Sequence, residues 1–283
     1  MKIPKVTVAI PTYNRAHYLK ESIPSVLAQT FMDFNLVIID NASTDNTGEV
    51  VRSFADPRIE YFRNECNLGI IGNWNRAIEL CVGEYLNIFG DDDKMLPNFL
   101  EKSVTILDAF PQIGFTFSHC NKVNEQGEFI RLWGYDFPPA GYIRGHEYLM
   151  LTVKFGCCLT NSSTVLVRRS VHDRVGAYKE VYGSNTFDFN MWLRIASVFD
   201  TYFIDEVLVD YRLHPDQVSE LHWRTPNSPT GPLGSVLEII GAIAVLLRSD
   251  KAHSDELREF LADNLLQLNA RGARLMKNFI PNL

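Results

Sequence analysis

Short apolar runs alternate with stretches of helical periodicity through the first half of the chain. Val6–Ile10, Leu36–Ile39, Ile59–Phe62 and Tyr85–Phe89 read as strands, and amphipathic stretches near residues 15–29, 46–54, 71–81 and 97–109 read as the helices between them. Strands alternating with helices predict a parallel sheet covered by helices, an α/β fold. The pattern then changes. Phe115–Cys120 and Gly127–Leu132 flank the turn Asn124-Glu125-Gln126-Gly127 and predict an antiparallel hairpin, so the sheet is mixed. Asn161–Arg169 reads either as a strand entering a helix start, its polar head a candidate contact for substrate oxygens, or as a turn before an ordinary strand, and Thr186–Arg194 reads as a helix. After a Pro-, Ser- and Gly-rich linker from Thr225 to Gly234, a C-terminal helical tail is expected at Val236–Leu247 and Ser254–Ile280. Its apolar run is shorter than the about 20 residues that cross a bilayer. Packing on the sheet is its default placement, with a subunit interface or a membrane surface as the alternatives.

In an open α/β sheet, ligands bind beyond the carboxyl ends of the strands. Polar residues gather at those ends: Pro11-Thr12-Tyr13-Asn14-Arg15 after the first strand, Asp40-Asn41-Ala42-Ser43-Thr44-Asp45 after the second, Asn67-Leu68-Gly69 after the third, and Gly90-Asp91-Asp92-Asp93 after the fourth. Any one of these loops also reads as an ordinary solvated turn, with Asn14 and Asp45 as helix caps. Four of them at one sheet edge predict a binding crevice. The acidic run adds chemistry, because adjacent carboxylates repel one another and are costly to desolvate without a cation or a hydrogen-bonding ligand. Oxygen ligands of this kind suit Mg2+ or Mn2+, which bridge one or two carboxylates to substrate phosphates. The alternative is a solvated acidic turn that caps the next helix.

With 283 residues, 46% of them hydrophobic and 22% charged, the chain can bury the core of one large domain or of two fused halves. Its net charge of -7 argues against a general nucleic-acid surface. Cys66, Cys81, Cys120, Cys157 and Cys158 form neither a CxxC pair nor an even framework, so a disulfide scaffold or zinc site is not expected and a reducing cytoplasm is. Met1–Lys5 leads straight into the first strand, leaving no room for the apolar core of a signal peptide.

The ordered series Pro11–Arg15, Ile39–Asp45, Asn67–Gly69 with Asn75, Gly83-Glu84-Tyr85-Leu86 and Gly90–Asp93 with Pro97 resembles the motifs of family 2 glycosyltransferases, and the match runs through most of residues 5–215. The resemblance implies a GT-A fold, a Rossmann-like mixed sheet flanked by helices. It divides the chain into a nucleotide-sugar half at 1–110, an acceptor half of the same catalytic domain at 111–220 and the helical region at 235–283. It also implies inverting transfer from a nucleotide-activated sugar, UDP- or dTDP-linked by preference, to the hydroxyl of a saccharide or lipid-linked saccharide. Bacterial surface polysaccharide or glycoconjugate synthesis is the associated setting, in the cytoplasm or on the inner face of the membrane. The C-terminal helices are the candidate contacts with that membrane or with a second copy.

Carried over by position, Pro11, Thr12, Tyr13, Arg15 and Asp40 hold the nucleotide, with Thr12 and Tyr13 lining the base and Asp40 accepting the imide N–H of uracil or thymine. Asn67 and Gly69 lie near base and ribose, with Asn75 in support. In the family's more usual Asp-Ala-Asp-Asp form the first acid falls at Gly90 here. Asp92 is then the principal ligand of Mn2+ or Mg2+, Asp91 faces the ribose hydroxyls, and Asp93 supports the metal through water or caps the following helix. Such an ion stabilises the negative charge that builds on the leaving pyrophosphate.

Thr186–Arg194 resembles the family's helix that carries the catalytic base, which falls at Asp188, with Phe187 where many relatives have glutamate. One carboxylate suffices to take the acceptor proton; its alternative role is an amino-terminal cap. Tyr211-Arg212-Leu213-His214 resembles the segment that closes this fold, and His214 completes the metal shell, touches the pyrophosphate or simply shapes a turn. Two rival functions share parts of this pattern. A sugar nucleotidyltransferase calls for a Gly-rich basic loop where the chain has Pro11–Arg15, and a non-catalytic carbohydrate-binding protein has no use for Asp92 together with Asp188.

Overall fold

The computed structural model of the chain describes residues 2–133, 140–155, 161–179 and 187–217, with side chains described for all of these except 153–155. The linker and tail expected beyond Thr225 lie outside the described residues. The chain forms two compact units. The first gathers Met1–Ile143, Thr160–Tyr178 and Asp200–His214; the second takes its described residues from Arg144–Leu159, Lys179–Phe199 and Pro215–Leu283.

The first unit is built on one ten-stranded sheet: β1 (Val6–Thr12), β2 (Phe34–Asp40), β3 (Ile59–Arg63), β4 (Tyr85–Ile88), β5 (Lys94–Met95), β6 (Ile113–Val123), β7 (Phe129–Trp133), β8 (Gly141–Ile143), β9 (Val165–Arg168) and β10 (Asp200–Arg212). The order is β3-β2-β1-β4-β9-β6-β10-β5, with β7 added to β6 and β8 to β10. Strands β3, β2, β1 and β4 are parallel, as their alternation with helices predicts. β9 then enters antiparallel between β4 and β6, which makes the sheet mixed. Because β1 lies between β2 and β4, the direction of winding reverses at the β1/β4 boundary, the place where an open sheet leaves a crevice at its carboxyl edge.

The helices of this unit are α1 (Ala16–Leu27), α2 (Thr47–Arg52), α3 (Gly69–Leu80), α4 (Phe99–Ala109) and, after β9, α6 (Val171–Val175). β2 is buried along its whole length and β1 nearly so, which is why both read as continuous apolar runs rather than alternating ones. Val8, Ile10, Leu36 and Ile38 meet Leu19, Ile23 and Val26 of α1 and Leu100, Val104 and Leu107 of α4 in one core. The polar residues of β1 are Thr7 and Thr12, and the buried Thr7 hydroxyl donates to Asn35 Oδ1 at 2.8 Å and accepts from the Gly83 main-chain N–H at 3.1 Å. A Cβ on Gly83 would sit 2.7 Å from the Thr7 nitrogen, so only glycine permits this close approach.

Several elements differ from the sequence expectation. β6 extends to Val123, and the hairpin partner β7 begins at Phe129. The two-residue β5 intervenes between the acidic run and Pro97, and α4 starts at Phe99 rather than at the proline. β5 exists because β10 lends it a partner, a long-range pairing that leaves no local periodicity. In the second unit, α5 (Gly145–Phe155) packs on α7 (Phe187–Ala196), and Gly145 comes so close to the Ala196 and Phe199 carbonyls that a side chain has no room.

Candidate functional site

The first two loops are fixed to each other by main-chain register. Thr12 stands opposite Asp40, the Asn41 N–H donates to the Thr12 carbonyl at 2.9 Å, and the Asn64 N–H donates to the Asp40 carbonyl at 2.8 Å. Asn14 adopts a left-handed conformation, φ 54°, which asparagine tolerates better than most residues. Its side-chain oxygen accepts from the Thr44 N–H at 2.7 Å, while its own N–H donates to Ser43 Oγ at 2.9 Å. Asp45 serves two helix starts, accepting from the Ala16 N–H of α1 and the Thr47 N–H of α2, both at 3.1 Å. The helix-cap reading of Asp45 therefore describes its bonding. Pro11 lies within β1 opposite Ile39, Thr12 is buried, and Tyr13 is 44% exposed.

Asp40 is 1% exposed. Its Oδ1 accepts from the Ser43 N–H at 2.8 Å, and its Oδ2 accepts from the Tyr61 hydroxyl at 2.6 Å with Arg63 Nε 3.4 Å away. Burial, and then the bond to Asp40, push the Tyr61 hydroxyl up to about 12, so it stays a donor. Each carboxylate oxygen offers about two lone-pair sites, which leaves Oδ1 with a place for one further donor. Next to it, Asn41 ties the third loop down. Its Nδ2 donates to Asn67 Oδ1 at 2.8 Å and its Oδ1 accepts from the Leu68 N–H at 2.8 Å. Gly69 then turns through φ +71°, with open space where a side chain would stand. Asn75 has a different occupation: it accepts from the Tyr178 N–H at 2.8 Å and donates to the Tyr178 carbonyl at 3.0 Å, a two-point clamp on the chain after α6.

The acidic run is the centre of the charge arrangement. Arg15 Nη1 donates to Asp91 Oδ1 at 3.1 Å and to Asp92 Oδ2 at 2.9 Å, and His214 Nε2 lies 2.8 Å from that same Asp92 oxygen. All three aspartates are buried, as is His214. Burial pushes the Asp91 carboxyl up to about 6, with Arg15 pulling the other way, and burial pushes Asp93 well above the usual carboxylate range, with the neighbouring Asp92 adding to the rise. Asp93 is bound on both oxygens, by the Ser163 hydroxyl at Oδ2 and by the Arg212 N–H at Oδ1, 3.0 Å. Arg212, itself 1% exposed, donates from Nε to the Asp92 carbonyl at 2.8 Å and pairs with Glu21 at 2.8 Å. Gly90 fits this packing, since a Cβ there would stand 2.8 Å from Asp93 Oδ2 and 3.0 Å from Asp92 Oδ1. The position that carries an acid in the family's usual motif is here the floor beneath two folded-back carboxylates.

Sequence reasoning did not single out Ser163, which donates to Asp93 and accepts from the Gly90 N–H at 3.0 Å. The available signal was the polar head Asn161-Ser162-Ser163-Thr164. Glu21, which pairs with Arg212, has no such signal in the sequence, whereas Arg212 in the Tyr211–His214 segment reads as a partner for acidic core residues.

Among the described residues, no group of three or more His, Cys, Asp and Glu is arranged to hold a metal ion. Asp92 and His214 nevertheless bring a carboxylate and an imidazole together, and His214 Nδ1 is buried without a hydrogen-bond partner. That donor pair fits an ion that takes few ligands from protein and the rest from substrate phosphate and water.

In the second unit, Asp188 lies in the first turn of α7 and its Oδ1 accepts from the Phe189 N–H at 2.8 Å. The residue is half-buried, and burial pushes its carboxyl up to about 6. A carboxylate that is ionised at neutral pH yet basic for its type is suited to accept a proton.

The sequence profile described as Glycosyl transferase family 2 matches residues 7–176, and the chain belongs to that family. It is 30% identical over 221 residues to the uncharacterized glycosyltransferase MJ1057 of Methanocaldococcus jannaschii, covering 75% of this chain and 72% of the relative. It spans only 35% of the length of longer uncharacterized glycosyltransferases from Rickettsia that it also matches. Among solved structures, TarS of S. aureus in complex with UDP-GlcNAc superposes with a TM-score of 0.68 at 19% identity, over 91% of this chain and 71% of that one. The mannosyltransferase PcManGT of Pyrobaculum calidifontis, in complex with GDP-Man and Mn2+, superposes with a TM-score of 0.60 at 18% identity, over 100% and 89%. These likenesses establish the GT-A type mixed α/β fold. No helix among the described residues is long and apolar enough to cross a membrane.

Proposed function

We propose that this protein is a metal-dependent inverting glycosyltransferase that moves a sugar from a UDP- or dTDP-linked donor to the hydroxyl of a saccharide or lipid-linked saccharide. The observation that carries the proposal is the Asp92 carboxylate, buried at the carboxyl end of β4 between Arg15 and His214, beside the point where the sheet reverses its winding. In this reading residues 1–110 hold the donor and 111–220 the acceptor, with His214 returning from the second stretch to complete the donor site; the tail at 235–283 stabilises or assembles the enzyme.

The residues divide the work. Tyr13, exposed beside buried Thr12, lies against the base, and Asp40 receives the imide N–H on Oδ1 while Tyr61 and Ser43 hold the carboxylate still. Asn67 and Gly69, tied down through Asn41, border the ribose, and Asp91 faces its hydroxyls. Asn75 acts through the Tyr178 main chain rather than on the nucleotide. Asp92 and His214 would hold Mn2+ or Mg2+, with Asp93 behind them; the ion would supply positive charge against the pyrophosphate as it leaves. Asp188 takes the acceptor proton, for which its raised basicity is suited.

Two features support the choice of nucleotide. A carboxylate pairs with the imide N–H of uracil or thymine and not with an acceptor such as adenine N1, and TarS, with the higher TM-score of the two compared structures, is complexed with a UDP-sugar. GDP-Man in PcManGT keeps guanine, whose N1–H is likewise a donor to a carboxylate, on the list of donors to test. In the same reading it is a cytoplasmic enzyme, or one peripheral on the inner face of the membrane, in surface polysaccharide or glycoconjugate synthesis. The deciding experiment is a panel of UDP-, dTDP-, GDP- and ADP-sugars read by thermal shift and by donor turnover, with and without Mn2+. Mn2+-dependent stabilisation by a uridine or thymidine donor is expected, and preference for an ADP-sugar would overturn the base assignment.

A further inference from the structure

Asp92 Oδ2 is shared by two cationic or potentially cationic neighbours, Arg15 at 2.9 Å and His214 at 2.8 Å. The same guanidinium nitrogen reaches Asp91 Oδ1 at 3.1 Å, so one Arg15 nitrogen bridges the two carboxylates. The Arg15 side chain is 20% exposed, whereas those of Asp91 and Asp92 are 7% and 8% exposed. The guanidinium therefore comes in from the outer side and closes the acidic pair. Its backbone is held independently: the Arg15 carbonyl accepts from the Tyr18 N–H at 3.0 Å in the first turn of α1, whose Ala16 N–H is capped by Asp45. The side chain is long enough to change partners while its Cα stays in place.

Mg2+ coordinates its oxygen ligands at roughly 2.0–2.1 Å. An oxygen so engaged holds a guanidinium at hydrogen-bond distance only at an electrostatic cost, because the two positive centres repel at that range in a buried site. We propose that Arg15 is the resident counter-cation of the Asp91–Asp92 pair, occupying the cation's place until the donor arrives, and that the diphosphate then draws the guanidinium off. Arginine is suited to this exchange, since its planar fork binds carboxylate and phosphate alike. The consequence is ordered, cooperative loading: metal binds weakly to the empty protein and tightly with nucleotide. The inference rests on the metal-dependent reading above and adds to it a reason why an acidic triplet can be buried before any ion is present.

The test is Mn2+ binding in the absence of nucleotide, followed by EPR of free Mn2+ or by calorimetry, for the wild type and for Arg15→Gln, Arg15→Met and Arg15→Lys. Two neutral variants are used so that a folding defect in one leaves the other to report. Both should bind Mn2+ at least about fivefold more tightly than the wild type, within the range usual for coupled sites, and Arg15→Lys should stay near the wild type. Adding Asp92→Asn to Arg15→Gln should erase the gain. With UDP present, the wild type should gain more Mn2+ affinity than either neutral variant. Equal Mn2+ affinity in the wild type and the folded neutral variants, with UDP-dependent Mn2+ binding intact, would overturn the counter-cation role alone. Absence of Mn2+ binding in every protein even with UDP, dTDP or GDP would overturn the metal reading and this inference with it.

Discussion

His214 Nε2 and Asp92 Oδ2 stand 2.8 Å apart although 122 residues separate them in the chain. The pairing follows from the sheet. β10 carries His214 just past its end, runs parallel to β6 and pairs antiparallel with β5, which directly follows the acidic run. The Arg212 N–H and guanidinium, two residues earlier, grip Asp93 and the Asp92 carbonyl. The end of β10 thus braces the loop after β4 from main chain and side chain together, so the carboxylates are oriented before any ligand binds.

If Asp92 and His214 hold the metal, their removal should act on metal-linked binding first. Asp92→Asn is expected to abolish the Mn2+-dependent gain in nucleotide affinity and most turnover. His214→Ala removes a ligand, so it should weaken Mn2+ by at least the about 10- to 100-fold that loss of a group orienting a ligand costs. Titrations of UDP at fixed Mn2+ measure both. Undiminished activity in Asp92→Asn, or full wild-type activity in excess EDTA, would sink the assignment.

For Asp188 the pH dependence carries the information. Its carboxyl sits at about 6 in the folded protein against an ordinary value of 3.8. As a base it must be ionised, so kcat/KM should fall as pH drops below about 6. The stability effect has the opposite sense. Between about pH 4 and 6 the folded protein holds a proton that the unfolded chain has released, so raising the pH through that window lowers stability. Asp188→Asn should lose transfer by about 10²-fold or more, keep nucleotide affinity within a few fold, and be relatively more stable than the wild type at pH 7 than at pH 4. Parallel loss of nucleotide binding would make Asp188 a folding or donor-site residue.

The parallel half of the sheet was legible in the sequence because β1, β2 and β4 are buried on both faces and their apolar runs end in polar loops. That the loops after these strands lie at one edge of the sheet followed from the same alternation. Pairings between distant segments were not legible. Nothing local in Ser163 points to Asp93, 70 residues away, because the insertion of β9 between β4 and β6 creates the contact. The capture of Asn75 by the Tyr178 main chain, 103 residues on, is of the same kind. Helix α5 escaped notice because its first turn, Gly145-His146-Glu147-Tyr148, lacks a clean apolar stripe; its start is fixed by a close approach to the end of α7.

In the base pocket, Asp40 is held by Tyr61 and Ser43, so two substitutions separate holding from binding. Asp40→Ala should weaken UDP or dTDP by about 1.5–3 kcal/mol, the scale of a hydrogen bond to a charged group. Tyr61→Phe removes one donor to the carboxylate and leaves Oδ1 in place, so it should cost less affinity. Calorimetry with UDP and GDP distinguishes them. Normal binding of uridine nucleotides by Asp40→Ala would show that the base is recognised elsewhere.

Gly90 offers the sharpest packing test. Its missing side chain is what lets Asp93 Oδ2 and Asp92 Oδ1 fold back to 2.8 Å and 3.0 Å from the ideal Cβ position, and Asp93 cannot yield because Ser163 and Arg212 pin both of its oxygens. Gly90→Ala should therefore cost about 1–3 kcal/mol of stability, the usual penalty for overpacking, and should weaken Mn2+ as the carboxylates shift. Gly90→Asp, which writes in the acid of the family's usual motif, should be worse, because it adds like charge to a buried cluster. Gly69→Ala provides the contrast. At φ +71° with open space around it, alanine there is strained in its backbone but moves no acid, so stability should fall by about 1–2 kcal/mol with Mn2+ affinity unchanged. Urea unfolding and Mn2+ titration of the three variants decide the matter: a Gly90→Ala protein matching the wild type in both would mean that the acidic run tolerates a side chain beneath it and that its geometry is set elsewhere.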